Sequence, residues 1–253
     1  MAIDEALLIT CQEENQQEFF PTLRFYRWKT PTLSFGYSQK WSKTVNQNYC
    51  RKWGINIVRR LTGGRAVLHH KELTYSLVAR CNEGFFSCSI LETYRHISAA
   101  LMQAFNKIKA PIQLVNHPLN RHFSSFDSPN KPCFFSATKY ELAYQGKKVV
   151  GSAQKRISNS FLQHGSIPLE LNLEQLFGAT NSQDRAEDIK VIALNEVLGY
   201  QIRLEDLISV LIKGFEEYFS LKLIPGGLTE RELKLAEKLC RKKYSQSWWN
   251  FAK

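Results

Sequence analysis

The chain has 253 residues, with 34 Lys plus Arg against 23 Asp plus Glu and a formal charge of +11. Its hydrophobic fraction of 43% is too high for a disordered chain, and 13 Gly and 8 Pro exclude collagen-like and low-complexity classes. No apolar run approaches the ~18 residues of a membrane-spanning helix, so no membrane association is expected.

The opening MAIDEALLIT has two acids and no basic segment, unlike a secretory signal, and it predicts a helix over residues 1–12 with Ile3, Leu7 and Leu8 on one face. Pro21 and Pro31 bracket an expected strand at 23–28, and a helix is expected at 42–53, closed by Gly54. Strands follow at 55–61 and 73–79, the second alternating Leu73, Tyr75 and Leu77 against Thr74 and Ser76. Ser89 with Glu92 has the spacing of a capping box, ahead of a helix carrying Ile90, Tyr94, Ile97, Leu101 and Phe105. Residues 116–132 are polar and non-periodic, which predicts a long loop of the kind that often carries function. Tyr140, Leu142 and Tyr144 then alternate, Gln145-Gly146 turns, Lys148 to Val150 returns, and a further strand spans 161–167. After a polar joining segment at 180–190, Leu204, Leu207, Leu211, Phe215 and Phe219 form an amphipathic stripe. Thr229 and Glu232 supply a second capping-box pair.

The six cysteines form no CxxC pair, so no zinc site is expected, and without a signal peptide they read as reduced thiols of a cytoplasmic protein. Cys11, Cys50, Cys88 and Cys240 lie in or beside apolar-periodic segments and read as packing residues, whereas Cys81 is ambiguous. The net charge calls for an acidic partner, and nucleic acid, an acidic protein or a phosphate-bearing substrate would all serve. The basic residues occur only in short clusters, without a basic arm or an RNA-recognition signature.

Four places carry candidate chemistry. In Arg59-Arg60-Leu61-Thr62-Gly63-Gly64-Arg65-Ala66, two glycines admit a close backbone approach and three arginines suit a carboxylate or phosphate, although a hairpin turn with solvated arginines fits equally. In Gly146-Lys147-Lys148, strand alternation sends the lysines to opposite faces, so either one points into a site or both are solvated. Cys133 ends the long loop beside Lys131 and suits a thiolate nucleophile, or is incidental. His164 either lines a pocket or is a satisfied structural histidine, and the adjacent His69-His70 make a poor metal site.

Together, residues 59–69 (RRLTGGRAVLH), 72–76 (ELTYS), 146–154 (GKKVVGSAQ) and 162–167 (LQHGSI) resemble the biotin/lipoate protein ligase superfamily. The resemblance implies an α/β (α+β) fold: a mixed β-sheet flanked by helices, similar to the catalytic core of class II aminoacyl-tRNA synthetases. It also implies a catalytic core over 1–180 with a helical C-terminal extension, 181–253, packed on it. The Lys131-Pro132-Cys133-Phe134 loop, the following Tyr140-Glu141-Leu142 and the lack of an Arg-Asn-Asp segment resemble the cysteine-dependent octanoyltransferases of lipoate biosynthesis. These need no ATP or other cofactor; an ATP-dependent lipoate or octanoate ligase is the alternative, and an idle binding module on this fold is a third reading.

The resemblance implies that Cys133 takes octanoyl from acyl carrier protein as a thioester. A lysine of a lipoyl domain or of glycine cleavage H protein then accepts it. Lys148 would serve as base and carbonyl partner, and the backbone at Gly151, Ser152 and Ala153 as oxyanion donors. Gly63, Gly64 and Ala66 would pass close to the acyl tail, His164 would line the pocket, and Arg59, Arg60 and Arg65 would form a carrier-binding rim or hold the pantetheine phosphate. A monomer is expected.

Overall fold

The computed structural model describes residues 1–13, 20–81, 84–87, 89–116, 139–181 and 190–252. Its centre is a pair of nine-residue strands, β5 (Glu72–Arg80) and β10 (Ser160–Pro168), antiparallel and buried at every position. β1 (Thr22–Tyr26) flanks β5, and β9 (Gly151–Ile157) flanks β10, in a four-stranded antiparallel sheet of order β1-β5-β10-β9. A second sheet joins β2 (Thr32–Phe35) in parallel to β3 (Asn56–Arg59) and antiparallel to β4 (Val67–His69). The fold's mixed character lies in this sheet. A third holds β6 (Gln113–Val115), β7 (Glu141–Tyr144) and β8 (Lys147–Lys148).

Strand alternation sorts the central sheet into two chemistries. Odd-numbered β5 residues (Leu73, Tyr75, Leu77, Ala79) join a core with Ile97, Leu101 and Phe105 of α4 (Ile90–Lys107) and Leu207, Leu211, Phe215 and Phe219 of α7 (Leu204–Phe219). At the α4–α7 crossing a Cβ on Gly214 would sit 2.5 Å from that of Ala104, so the helices meet almost backbone to backbone. On the opposite face Val78 and Leu162 pack with Leu7, Leu8 and Cys11 of α1 (Ala2–Glu13), alongside the polar Thr74, Ser76, His164 and Ser166. The helices after residue 181 therefore share their core with the strands before it.

Local signals place several boundaries. Ser89 caps α4 by accepting from the Glu92 N–H, and Thr229 with Glu232 forms a reciprocal capping box on α8 (Glu230–Leu239). Gln145 and Gly146 both take positive φ, 48° and 74°, as a tight hairpin turn requires. The helix expected at 42–53 is instead two: α2 (Trp41–Thr44) and α3 (Gln47–Lys52). Val45 between them is extended and bridges Thr180, and Asn46 competes with helix continuation by capping the Tyr49 N–H. β9 is not among the expected strands; apart from the buried Gly151 its residues are half-buried, and as an edge strand GSAQKRI shows no apolar alternation. Two short helices, α5 (Leu173–Ala179) and α6 (Leu194–Leu198), also lie between β10 and α7.

Cys11, Cys50 and Cys81 are buried, but Cys240 is exposed, correcting its reading as a packing residue. α8 widens there into a π-helical turn (Cys240–Tyr244), which carries Cys240 off the apolar stripe before α9 (Ser247–Asn250). Cys88 lies outside the described residues. No helix among the described residues is long and apolar enough to cross a membrane.

Candidate active site

The polar side chains on the α1 face form one connected network. Asp4, buried at the start of α1, accepts from Arg24, from the Tyr26 hydroxyl at 2.9 Å and from the Ser76 hydroxyl at 2.8 Å. His164 Nδ1 lies 3.9 Å from the Asp4 carboxylate, and its Nε2 shares a 2.7 Å hydrogen bond with the Thr62 hydroxyl. Arg60 Nε donates to that hydroxyl and Arg60 Nη1 to Ser34, whose Oγ lies 2.8 Å from His69 Nε2. His69 Nδ1 meets Glu72 at 3.1 Å, while Thr74 and Ser166 also donate to the Glu72 carboxylate. The Trp28 ring stacks on His69 at 4.3 Å.

Burial sets the charge states here. It works to raise the Asp4 carboxyl, but the amino terminus, His164 and Arg24 outweigh it and hold that carboxyl well below the usual range. The buried His164 imidazole is held below the usual histidine value by desolvation, against the opposing hydrogen bond and charge of Asp4. The Tyr26 phenol is pushed up by burial and by Asp4.

Part of this network lines a cavity of about 20 Å³, room for roughly one water. Arg60, His69, Thr74, His164 and Ser166 line it together with Gly151, Ser152 and Ala153 of β9. β9 is the edge of its sheet, so alternate N–H groups point away from β10. Gly165 makes the cavity wall possible: a Cβ there would sit 2.4 Å from Tyr75 Cε1 and 2.6 Å from Ser152 Oγ.

A second polar group occupies the other face. The Tyr75 hydroxyl shares a 2.7 Å hydrogen bond with Ser152 and accepts from Gln163 at 3.2 Å. Burial pushes this phenol up to about 12, with Glu141 adding to the rise. Glu141 is buried and accepts from Lys148 Nζ at 2.7 Å and from the Tyr94 hydroxyl at 3.2 Å. Lys148 is 3% exposed, whereas Lys147 faces solvent. The alternation of the two lysines thus resolves with Lys148 inside.

The remaining sequence candidates divide. Arg60, Gly151, Ser152, Ala153 and His164 come together at the cavity, while Ala66 is buried in the second-sheet core. Gly63 and Gly64 are exposed, Arg65 is half-buried, and the Gly64 carbonyl presses on Gly36, where a Cβ would lie 1.9 Å away. Cys133 lies outside the described residues. Arg59 does not line this cavity and is buried rather than at the surface. It is 2% exposed, and its guanidinium donates to the carbonyls of Tyr37, Gln39, Trp249 and Ala252 at 2.7–3.0 Å. Arg60 is 3% exposed and bonds the Gly63 and Arg65 carbonyls, so it shapes its own loop and cannot act as a surface rim. Among the described residues no group of three or more His, Cys, Asp or Glu is placed to hold a metal ion.

Sequence reasoning did not single out Asp4, Thr62, Glu72 or Tyr75 as site residues. Glu72 and Tyr75 lie inside the ELTYS motif, and that motif was the available signal. Asp4 is one of the two acids of the opening segment and carried no such signal.

The family model for the lipoyl protein ligase A/B catalytic domain matches residues 1–216, a span that runs beyond the 180/181 boundary. Octanoyltransferase LipM of Brevibacillus brevis is 38% identical, over 99% of this chain and 93% of the relative. Octanoyltransferase LipM of Moorella thermoacetica is 36% identical, over 98% and 92%. Among solved structures, lipoate-protein ligase A bound with ATP superposes with a TM-score of 0.80 at 24% identity, covering 99% of this chain and 92% of the other. The bipartite lipoate protein ligase of Thermoplasma acidophilum gives 0.79 at 23%, covering 99% and 89%. At that identity the structures establish the fold, and with the family match and the full-length relatives the chain belongs to the lipoyl protein ligase A/B catalytic domain family.

Proposed function

We propose that this protein is an octanoyltransferase of protein lipoylation. Octanoyl passes from acyl carrier protein to Cys133 and then to a lysine of a lipoyl domain or of glycine cleavage H protein. The observation that carries this reading is the full-length similarity to proteins named octanoyltransferase LipM. A buried lysine in a polar site at Lys148 supports it.

In the first half-reaction Lys148 takes the Cys133 proton and the thiolate attacks the thioester carbonyl; a new C–S bond forms, the carrier C–S bond breaks, and the departing carrier sulfur takes the proton back from Lys148. In the second, the acceptor amine attacks the octanoyl-enzyme; a C–N bond forms, the enzyme C–S bond breaks, and Lys148 receives the proton the amine sheds. The β9 backbone from Gly151 to Ala153 offers N–H donors to the oxyanion of either step. The +11 charge would speed encounter with acidic carriers and weaken with salt.

The test is intact-mass spectrometry after mixing with octanoyl-acyl carrier protein without ATP. One octanoyl group on Cys133, absent in Cys133→Ala, is expected. ATP-dependent transfer that survives Cys133→Ala would refute the reading and favour a ligase.

A further inference from the structure

Lys148 is held rather than merely buried. Its backbone N–H donates to the Lys190 carbonyl, its own carbonyl accepts from Ile192, and β7 pairs along its other edge. Ala143 is its cross-strand partner, so Glu141, two residues away, projects on the same face as its diagonal neighbour. Both carboxylate oxygens are engaged: Oε1 by Lys148 Nζ at 2.7 Å, and Oε2 by the Tyr94 hydroxyl of α4 at 3.2 Å. The pair is almost fully enclosed, with side-chain exposures of 4% and 1%.

We propose that Glu141 is the positioning residue of this site: braced by Tyr94, it fixes Lys148 Nζ and supplies the counter-charge against which that amine exchanges protons. The inference rests on the reading of Lys148 as the acid–base group of octanoyl transfer. A purely structural role explains the pair poorly. Taking two charges out of water costs about what their attraction returns, and an apolar pair of similar volume would hold the same hairpin as well. Among the described residues, the groups facing Glu141 include Lys148 on β8, Tyr94 on α4 and, through its charge, Tyr75 on β5. Burial and the Glu141 charge both push the Tyr75 phenol up, so it stands beside the pair as a neutral hydroxyl. Tyr75, on which the Glu141 charge acts, bonds Ser152 of the cavity wall.

A double-mutant cycle on the full chain tests this. Single-turnover octanoylation by octanoyl-acyl carrier protein is followed by quenched intact-mass measurement from about pH 6 to 9 for Glu141→Gln, Lys148→Met and the double variant, beside thermal unfolding. Glu141→Gln should slow octanoylation by about 10²-fold. It should also move the pH profile to lower pH, because the ammonium loses its anion. In the Lys148→Met background it should cost nothing further. Losses that multiply in the double variant, or an unmoved profile with only a lower unfolding midpoint, would overturn the inference. Full-rate octanoylation by Lys148→Met would instead refute the underlying reading of the lysine. Should Glu141→Gln fail to fold, Tyr94→Phe, which keeps both charges, carries the test. It should slow octanoylation by roughly 10-fold with its midpoint nearly unchanged, and an unaltered rate would count against Glu141.

Discussion

Arg59→Ala separates a structural arginine from a substrate-binding one. The Arg59 guanidinium reaches Tyr37 and Gln39 in the turn after β2, and Trp249 and Ala252 at the end of the described chain. It also lies 4.5 Å over the Phe35 ring. Truncation leaves those carbonyls without their donor and removes the cation–π contact. The backbone ties from the Arg59 N–H to Asn250 Oδ1 and from Trp249 Nε1 to the Arg59 carbonyl survive. Charge-assisted hydrogen bonds contribute about 1.5–3 kcal/mol each, and four that share one side chain do not add fully, so about 3–5 kcal/mol should be lost. At ~2–4 °C per kcal/mol for a chain of this size, the thermal midpoint should fall by roughly 10 °C. The segment from residue 245 onward should become the first site of limited proteolysis. Arg59→Lys keeps one cation without the fork and should fall in between. A midpoint within about 2 °C of wild type, with carrier-protein affinity reduced, would show that Arg59 binds substrate after all.

Two further predictions follow from the cavity. Gly165→Ala places a methyl group where Tyr75 and Ser152 already sit, so octanoylation should fall by at least about 10²-fold while the protein still folds at lower temperature; a wild-type single-turnover rate would contradict the geometry. Burial holds the His164 imidazole low. The unfolded chain therefore binds a proton below about pH 6.5 that the folded chain resists. Stability from this residue is complete above that pH and declines as pH falls, by at most about 1.4 kcal/mol per pH unit. His164→Gln should flatten the fall in urea-unfolding free energy between about pH 7 and 5. Burial also lowers His96, so the difference between variant and wild type is what is read, and parallel curves would refute the assignment.

Much of the fold was legible because its signals are local. Ser89 and Thr229 cap helices that their own next turn completes, Gln145-Gly146 closes a hairpin whose strands adjoin it, and the stripe from Leu207 to Phe219 repeats at helical spacing. The residues at 42–53 misled, since apolar spacing persists across Val45 while Asn46 captures a backbone N–H and restarts the helix. Cys240 misled for a related reason, because a π turn changes the period on which the expectation rests.

By itself the sequence determined that Lys147 and Lys148 face opposite ways, that Gly63-Gly64 interrupts a basic segment, and that Cys133 stands in a polar stretch. Alternation assigns faces but cannot say which face is inside. That was decided only when the third sheet packed beneath α4 and set Glu141 and Tyr94 around Lys148. Arg59 is separated from Ala252 by 193 residues, and Thr62 from His164 by 102. Contacts across such distances arise from how whole layers stack, so no local pattern could have assigned one arginine to the C-terminal segment and its neighbour to the cavity.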